Sequence, residues 1–325
     1  MKDELASHNR NGTWKLVPQL KGQKVIGSKW VFKIKRNEQN EIVKLKARIV
    51  AQGYSQQFGV DYDQVFAPVT RQATLKTFLS VASKQNMAVR HLDVKTAYLN
   101  GILEEEIIMR QPPGWEVSGK EEFVCQLKRS IYGLRQSARC WHKRLNEALV
   151  ELGFKPSSAD PCLFVRNIGS VKVFLLVYVD DMLIGSSDER EVLRLIDLLK
   201  EKFEVTCLGD VRHFLGMEIQ REDGIFKIRL KNYIEKLIVN NGMELAKTAK
   251  SPMEPGFLKN EESSAGFKDP TKYRSLVGGL LYLACNTRPD VAVCTAILGR
   301  KFCDPTEADW TAAKRVLRYL KKTVN

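Results

Sequence analysis

Two apolar segments flank a pair of acidic residues in the middle of the chain. Val171 to Val179 is a nearly continuous run of apolar and β-branched residues, and Met182 to Gly185 is a second, shorter run. Short apolar runs of this kind are typical of buried β-strands. The pattern predicts a buried hairpin with Asp180 and Asp181 at its tip.

Other segments show either the period of a strand or the period of a helix. Trp30 to Ile49 repeats with period two on both sides of a polar turn, which predicts a β-hairpin, and Ala88 to Asp93 is a short strand that ends in an acid. Amphipathic helices are predicted at Arg71–Gln85, Arg135–Leu152, Asp188–Phe203, Tyr273–Cys285 and Pro305–Lys322. The stretch from Pro252 to Ser264 is polar and rich in proline and glycine, as linkers are.

The charge is strongly positive and unevenly placed. The 325 residues include 52 Lys+Arg and 38 Asp+Glu, a formal charge of +14. Nine basic and two acidic residues lie between Lys21 and Arg48, and one face of the predicted hairpin there is basic. Most charged strand faces are simply solvated, but like charges that oppose each other across strands repel. The one-sided pattern favours an anionic ligand such as phosphate over a solvated face.

Composition and termini narrow the class of protein. A hydrophobic content of 44% is enough for a packed core, and the longest apolar run has nine residues, whereas a membrane-spanning helix needs about 20. The seven cysteines include no Cys-x-x-Cys pair, and the N-terminus has no apolar segment of the signal-peptide type. We therefore expect a soluble protein with reduced thiols that is cytoplasmic or nuclear and not secreted.

The adjacent carboxylates at the hairpin tip indicate a metal site. Two acids between apolar strands repel each other and lose hydration unless a cation offsets both effects. Mg²⁺ prefers hard oxygen ligands and often binds one or two carboxylates together with substrate phosphates. Asp93 would be a third ligand if its strand end lies beside the tip, and three acids could hold two ions for a phosphoryl transfer. An isolated Asp-Asp pair is more often a solvated turn, but the apolar strands on both sides argue against that alternative.

Several motifs resemble the reverse transcriptases of copia-type LTR retrotransposons. They run in the expected order from about Trp14 to the end of the chain. The most specific are LLVYVDDMLIGS around Asp180, HLDVKTAYLNG from His91, YGLRQSARCW from Tyr132 and KARIVAQGYSQ from Lys46. FAPV, MRQPPGW, FLGMEI, YRSLVGGLLYLACNTRPDV and AAKRVLRYLKKT add to the match.

The resemblance implies an α+β fold of the right-hand polymerase type. Its parts would be an antiparallel palm sheet that carries the acids, a fingers β-hairpin and a helical thumb from about Gly224 onward. We expect the reverse transcriptase domain to span residues 14–255, with fingers, palm and the start of the thumb. Residues 256–325 would form a helical thumb or connection segment.

The same resemblance assigns roles to individual residues. Asp93, Asp180 and Asp181 correspond to the catalytic metal-binding triad, with the backbone carbonyl of Val94 as a further ligand of two Mg²⁺ ions, or of Mn²⁺ in their place. Tyr98 resembles the steric gate that excludes a ribose 2′-hydroxyl, although an ordinary core tyrosine is the alternative. The remaining nucleotide-binding candidates are Gln136, Lys33, Lys35, Arg36 and Arg48. The primer grip would comprise Phe214, Leu215, Gly216 and Met217.

The chain departs from the family pattern at Arg212, where Lys is common in a region credited with protonating the pyrophosphate leaving group. Arginine stays charged at all usable pH values and is a poor proton donor, so His213 is an alternative donor or the role is absent. Ala138 and Asp309 stand where many relatives have Pro and His, which we interpret as tolerable packing changes.

The implied function is RNA-directed DNA polymerisation within a retrotransposon polyprotein. The partners would be an RNA or DNA template-primer and deoxynucleoside triphosphates, with no membrane contact and a cytoplasmic, virus-like-particle or nuclear setting. RNase H and integrase parts of such a polyprotein are expected but do not occur in this chain. The alternative is a catalytically inactive or co-opted nucleic-acid-binding remnant, which intact acids disfavour without excluding it.

Overall fold

The computed structural model describes residues 1–36, 41–257 and 264–324. The chain divides into two compact units, residues 1–211 and residues 212–325. This division falls earlier in the chain than the functional boundary after residue 255 that we predict from the resemblance. Across the described residues, no helix combines the length and the apolar character needed to cross a bilayer.

Four α-helices and eleven strands lie in the described part of the first unit. In chain order they are α1 (Lys2–Arg10), β1 (Trp14–Pro18), β2 (Ser28–Arg36), β3 (Ile42–Ala51), α2 (Gln72–Lys84), β4 (Ala88–Val94), β5 (Ile102–Arg110), β6 (Phe123–Arg129), α3 (Ser137–Glu151), β7 (Lys155–Pro156), β8 (Leu163–Ile168), β9 (Val171–Tyr178), β10 (Asp181–Ser186), α4 (Glu189–Lys202) and β11 (Val205–Asp210).

A six-stranded antiparallel sheet forms the centre of the first unit. Its strand order is β11-β4-β10-β9-β8-β7, and each adjacent pair is antiparallel. One face packs on α3 and α4, where Leu92, Val94 and Met182 join a buried core with Trp141 and Leu195. Because side chains alternate along a strand, His91, Asp93 and Asp181 lie on the opposite face. The core therefore holds the acidic strand ends in register.

The predicted hairpin around residues 30–49 is present as β2 and β3. Trp30 pairs with Ile49 and Val31 with Arg48, so the apolar and basic rows fall on opposite faces as predicted. The predicted turn at residues 37–40 lies outside the described residues. Much of the apolar row is exposed, since Phe32 and Leu45 are 66% and 72% exposed. A second sheet, β1-β6-β5, completes this part of the unit.

The second unit begins with a three-stranded antiparallel sheet and continues with helices. The elements are β12 (His213–Phe214), β13 (Met217–Glu222), β14 (Ile225–Arg229), α5 (Lys231–Asn240), α6 (Pro270–Asn286), α7 (Ala292–Gly299) and α8 (Glu307–Lys322). The helical part starts at Lys231 rather than at Gly224, because Gly224 lies with Asp223 in the tight β13–β14 turn, where both have positive φ. The overall α+β class is as predicted.

The basic side chains of α8 mostly contact the protein itself. Arg315 bonds to Glu254, Arg318 donates to the carbonyl of Lys247, and Lys321 donates to the carbonyl of Ala246 at 3.0 Å. Lys314 lies over the ring of Trp310. In the first unit, Lys143 of α3 similarly pairs with Glu104. These cations stabilise local structure, which the charge pattern alone did not indicate.

Candidate active site

The Asp180–Asp181 pair lies at the tip of the β9–β10 hairpin, as predicted. Tyr178 pairs with Asp181 across the hairpin, and Val179 and Asp180 form the turn. Val179 has φ of +56°, a left-handed conformation that β-branched residues rarely adopt. The indole nitrogen of buried Trp141 donates a 2.8 Å hydrogen bond to the Val179 carbonyl oxygen. Helix α3 thus fixes the backbone immediately before Asp180.

Asp93 lies beside this tip. In the antiparallel register of β4 and β10, Asp93 is the direct partner of Asp181, and the Val94 amide donates to the Asp180 carbonyl at 2.8 Å. Directly opposed residues in an antiparallel pair have Cβ atoms about 4.5–5.5 Å apart. Three acids from two distant parts of the sequence therefore meet at one edge of the sheet.

The three carboxylates act on one another electrostatically. The pKa of Asp180 is raised above its ordinary value by burial first, and then by the negative charges of Asp181 and Asp93, while Arg48 acts in the opposite direction. Like charges disfavour ionisation in this way only at short range. A cation would remove the repulsion, and carboxylate oxygens are the donors that Mg²⁺ prefers. The donor chemistry at this edge therefore suits Mg²⁺.

The three acidic side chains do not surround a common metal position in this arrangement. Among the described residues, no three His, Cys, Asp or Glu side chains form a group that could hold an ion. The Oδ1 atom of Asp181 lies 3.2 Å from Nε2 of His91. The sequence analysis missed His91. The signal available was its position two residues before Asp93, which places both on one face of a strand.

Tyr98, Tyr132 and Arg48 form a stack next to the acids. The rings of Tyr98 and Tyr132 meet edge to face at 4.7 Å, and the guanidinium of Arg48 lies 4.5 Å from the centre of the Tyr132 ring. The pKa of Tyr98 is raised by burial and then by the charge of Asp180, and Arg48 opposes both effects. Burial raises the pKa of Tyr132 to about 12. Tyr98 and Arg48 are thus both within electrostatic reach of Asp180.

The other basic candidates of the hairpin differ from Arg48. Lys33 lies opposite Lys46 in the β2–β3 register, so like charges face each other as predicted. Lys35 lies opposite Lys44, and Arg36 follows a register shift, but the side chains of Lys35 and Arg36 lie outside the described part of the chain. Among the candidates of this group whose side chains are described, Arg48 is the one that acts electrostatically on Asp180.

Gln136 is buried rather than facing open space. Its side chain is 1% exposed, its Oε1 atom accepts from Gln56 Nε2 at 3.0 Å, and its Nε2 atom donates to the Asp61 carbonyl at 2.9 Å. The amide therefore ties the segment around Gln56 to the start of α3. Contact with a nucleotide remains a prediction, and it requires one of these bonds to be exchanged.

The primer-grip candidates form a tight turn in the second unit. Phe214 pairs with Met217, and Leu215 and Gly216 between them have φ of +53° and +78°. Two consecutive positive φ values are typical of a two-residue hairpin turn, in which glycine is favoured and leucine is unusual. Phe214 and Met217 are buried, and neighbouring Arg212 and His213 are exposed. The turn geometry accounts for Gly216, and the primer contact remains a prediction.

Comparisons with known proteins agree with one another. Residues 11–255 match the family model described as reverse transcriptase (RNA-dependent DNA polymerase). The chain is 37% identical to the retrovirus-related Pol polyprotein from transposon TNT 1-94 of Nicotiana tabacum, over 99% of this chain and 25% of that polyprotein.

Two further relatives extend the comparison. The retrovirus-related Pol polyprotein from transposon RE1 of Arabidopsis thaliana is 36% identical over 100% of this chain and 22% of its own length. The putative transposon Ty5-1 protein YCL074W of Saccharomyces cerevisiae is 32% identical over 71% of this chain and 76% of its own length. The chain thus spans about a quarter of the length of the Pol polyproteins it matches.

Proposed function

Because the chain belongs to the reverse transcriptase (RNA-dependent DNA polymerase) family, we propose that it extends a primer 3′-hydroxyl with deoxynucleoside triphosphates, copying an RNA template into DNA. The single observation that carries this proposal is the register of β4 and β10, in which Asp93 lies directly opposite Asp181 and beside Asp180. The activity would belong to a retrotransposon polyprotein of which this chain is one part.

The acids would hold the catalytic metal ions. The proposed ligands are the carboxylates of Asp93, Asp180 and Asp181 and the backbone carbonyl of Val94, for two Mg²⁺ or Mn²⁺ ions. When bound, such ions activate the attacking hydroxyl and stabilise the leaving oxygen of an in-line displacement. The protein's own contribution is to keep three mutually repelling carboxylates at one sheet edge, which the hydrogen bonds of Trp141 to Val179 and of Val94 to Asp180 support.

The Tyr98–Tyr132–Arg48 stack would receive the nucleotide. Tyr98 is within electrostatic reach of Asp180, and its ring would exclude a 2′-hydroxyl on the incoming sugar. Arg48 carries a fixed positive charge over the Tyr132 ring and would bind the triphosphate, since a guanidinium forms bidentate bonds to phosphate. Lys33 would add charge along the basic face of the hairpin, with Lys35 and Arg36 as further nucleotide-binding candidates of that hairpin, and Gln136 would lie beside the incoming nucleotide.

Template and primer would bind mainly through their phosphates. The formal charge of +14 and the basic row of the β2–β3 hairpin support sequence-independent binding. The turn at Phe214–Met217 would contact the primer. RNase H and integrase activities would come from other parts of the polyprotein, and the setting would be a cytoplasmic particle or the nucleus.

A primer-extension assay on an RNA template with Mg²⁺ tests the proposal. Wild type should extend the primer, and Asp180→Asn and Asp181→Asn should each reduce kcat by a factor of about 10³ or more, since each removes charge from the metal site. Asp197→Asn is the matched control, because Asp197 is an exposed acid on α4 paired with Lys200. Absence of extension by wild type, with nucleic-acid binding retained at low salt, would favour the alternative of a non-catalytic binding remnant.

A further inference from the structure

His91 and Asp181 are diagonal neighbours on one face of the central sheet. Asp181 pairs directly with Asp93, and His91 lies two residues before Asp93 on β4. Diagonal cross-strand neighbours are about 7–8 Å apart at the backbone, which long side chains can bridge. Here the imidazole reaches across, and Nε2 of His91 lies 3.2 Å from Oδ1 of Asp181.

The direction of this hydrogen bond follows from the chemistry of the two groups. An ionised carboxylate only accepts hydrogen bonds, so Nε2 of His91 must carry the proton and donate it. The imidazole is largely buried, with 12% of its side chain exposed, whereas the Asp181 side chain is 37% exposed. The imidazole is thus the more buried partner of the pair.

The bond occupies one carboxylate oxygen of Asp181 and leaves the other open. Without it, we expect Asp181 to turn away from Asp93 and Asp180, because the carboxylates repel one another and Asp181 is partly exposed. Outer-shell hydrogen bonds of this kind orient metal ligands, and their loss typically costs a factor of 10–100 in metal affinity.

We propose that His91 is a positioning residue that holds Asp181 in the orientation needed for a divalent cation and thereby sets the Mg²⁺ requirement of the site. This inference rests on the proposed function, since it presumes that the three acids bind Mg²⁺. His91 itself does not contact the ion or the substrate. It acts through Asp181 by restricting the rotation of its carboxylate.

Two substitutions separate the hydrogen bond from the packing. His91→Leu places an apolar side chain of similar size opposite Leu183 and removes the hydrogen-bond donor. His91→Gln retains an amide donor that reaches Asp181. The primary measurement is the Mg²⁺ concentration that gives half of the maximal rise in Tm in the absence of nucleic acid. NaCl at equal ionic strength serves as the control for a general effect of salt on Tm. We expect a rise of about tenfold in this concentration for His91→Leu and less than twofold for His91→Gln.

Activity provides a second readout. The Mg²⁺ concentration for half-maximal primer extension should rise in parallel for His91→Leu, and kcat should recover at saturating Mg²⁺, because the ligands themselves are intact. Equal Mg²⁺ dependence in wild type and both variants, or tighter binding by His91→Leu, would overturn the inference. If wild type shows no Mg²⁺-specific rise in Tm, the metal part of the proposed function fails instead, so the two failures are distinguishable.

Discussion

The indole of Trp141 donates its hydrogen bond to the carbonyl oxygen of Val179, the residue immediately before Asp180. Trp141 is buried on α3 between the helix and the sheet, and its ring also contacts Phe203 edge to face. A β-branched residue in the left-handed region is strained, so Val179 needs support from outside its own strand. The turn that carries Asp180 therefore depends on a helix that precedes it in sequence by about forty residues.

Replacing Trp141 by Phe should loosen this turn. The substitution keeps an aromatic ring but leaves the Val179 carbonyl without its donor, which costs about 1–3 kcal/mol when the group is buried. We expect kcat for primer extension to fall about tenfold or more, with a smaller change in the KM for nucleotide. Trp310→Phe, in the second unit, is the matched control. An unchanged kcat for Trp141→Phe would show that the turn holds its shape alone.

Asp180→Asn should stabilise the metal-free protein. The folded-state pKa of Asp180 is raised, so the native state binds this proton more tightly than the unfolded chain, and stability decreases as the pH rises from about 3.8 through the folded pKa. At pH 7 in EDTA the variant should therefore melt roughly 1–4 °C higher than wild type. The difference should vanish below pH 4, where wild-type Asp180 is protonated. Asp197→Asn, on the surface, should show no such rise, and a lower Tm for Asp180→Asn would contradict the prediction.

Asp160 should behave in the opposite way. It is buried and accepts hydrogen bonds from Thr74 Oγ1 at 2.5 Å, from the Arg71 amide at 3.0 Å and from the Cys162 amide at 2.9 Å. Burial acts to raise the pKa of Asp160, but these hydrogen bonds outweigh it and hold the pKa below 3.8. Its stabilisation is therefore present above pH 3.8 and is lost as the pH falls through the folded pKa.

Asp160→Ala should lower the free energy of unfolding by about 2–3 kcal/mol in urea titrations at pH 7, because several buried donors lose their acceptor. Asp188→Ala is the control, since it removes a more exposed cap of α4 that accepts from the Arg190 amide and should cost about 1 kcal/mol. A smaller loss for Asp160→Ala than for Asp188→Ala would show that the donors find other partners.

Arg48→Ala should weaken nucleotide binding more than Lys33→Ala. Arg48 stacks on Tyr132 and acts on Asp180, whereas among the described residues no such contact places Lys33 near the acids. We expect the KM for deoxynucleoside triphosphate to rise about tenfold or more for Arg48→Ala. Arg48→Lys should have an intermediate effect, because lysine keeps the charge but lacks the planar group that stacks on the Tyr132 ring. Steady-state kinetics at saturating template-primer measure the difference. Equal effects of Arg48→Ala and Lys33→Ala would assign the triphosphate contact to the hairpin face as a whole.

Tyr98→Val should admit ribonucleotides. Removing the ring opens the space beside Asp180 where a 2′-hydroxyl would lie, so the preference for deoxynucleotides, measured as the ratio of kcat/KM values, should fall about tenfold or more. Tyr132→Phe serves as the control because it keeps the ring that packs against Tyr98. Sugar selectivity that stays unchanged in Tyr98→Val would leave Tyr98 as a packing residue.

The sequence predicted the β2–β3 and β9–β10 hairpins and the positions of the acids, for a physical reason. A buried hairpin requires two apolar runs, and a strand that ends in an acid is visible as such, so Asp93, Asp180 and Asp181 could be located from local pattern. The partners of individual side chains could not be found in this way. The burial of Gln136 and the bond of His91 to Asp181 depend on which strand lies beside which, and local periodicity does not carry that information.

The partners of the cations of α8 likewise could not be found from the local sequence pattern. Arg315 pairs with Glu254, and Arg318 and Lys321 donate to main-chain carbonyls within the second unit, so contact with a phosphate competes with these bonds. Counterions released from DNA or RNA report only those cations that approach phosphates. The slope of the logarithm of template affinity against the logarithm of salt concentration should consequently be shallower than the excess of basic residues suggests. The phosphate contacts that this slope reports should come largely from cations elsewhere in the chain.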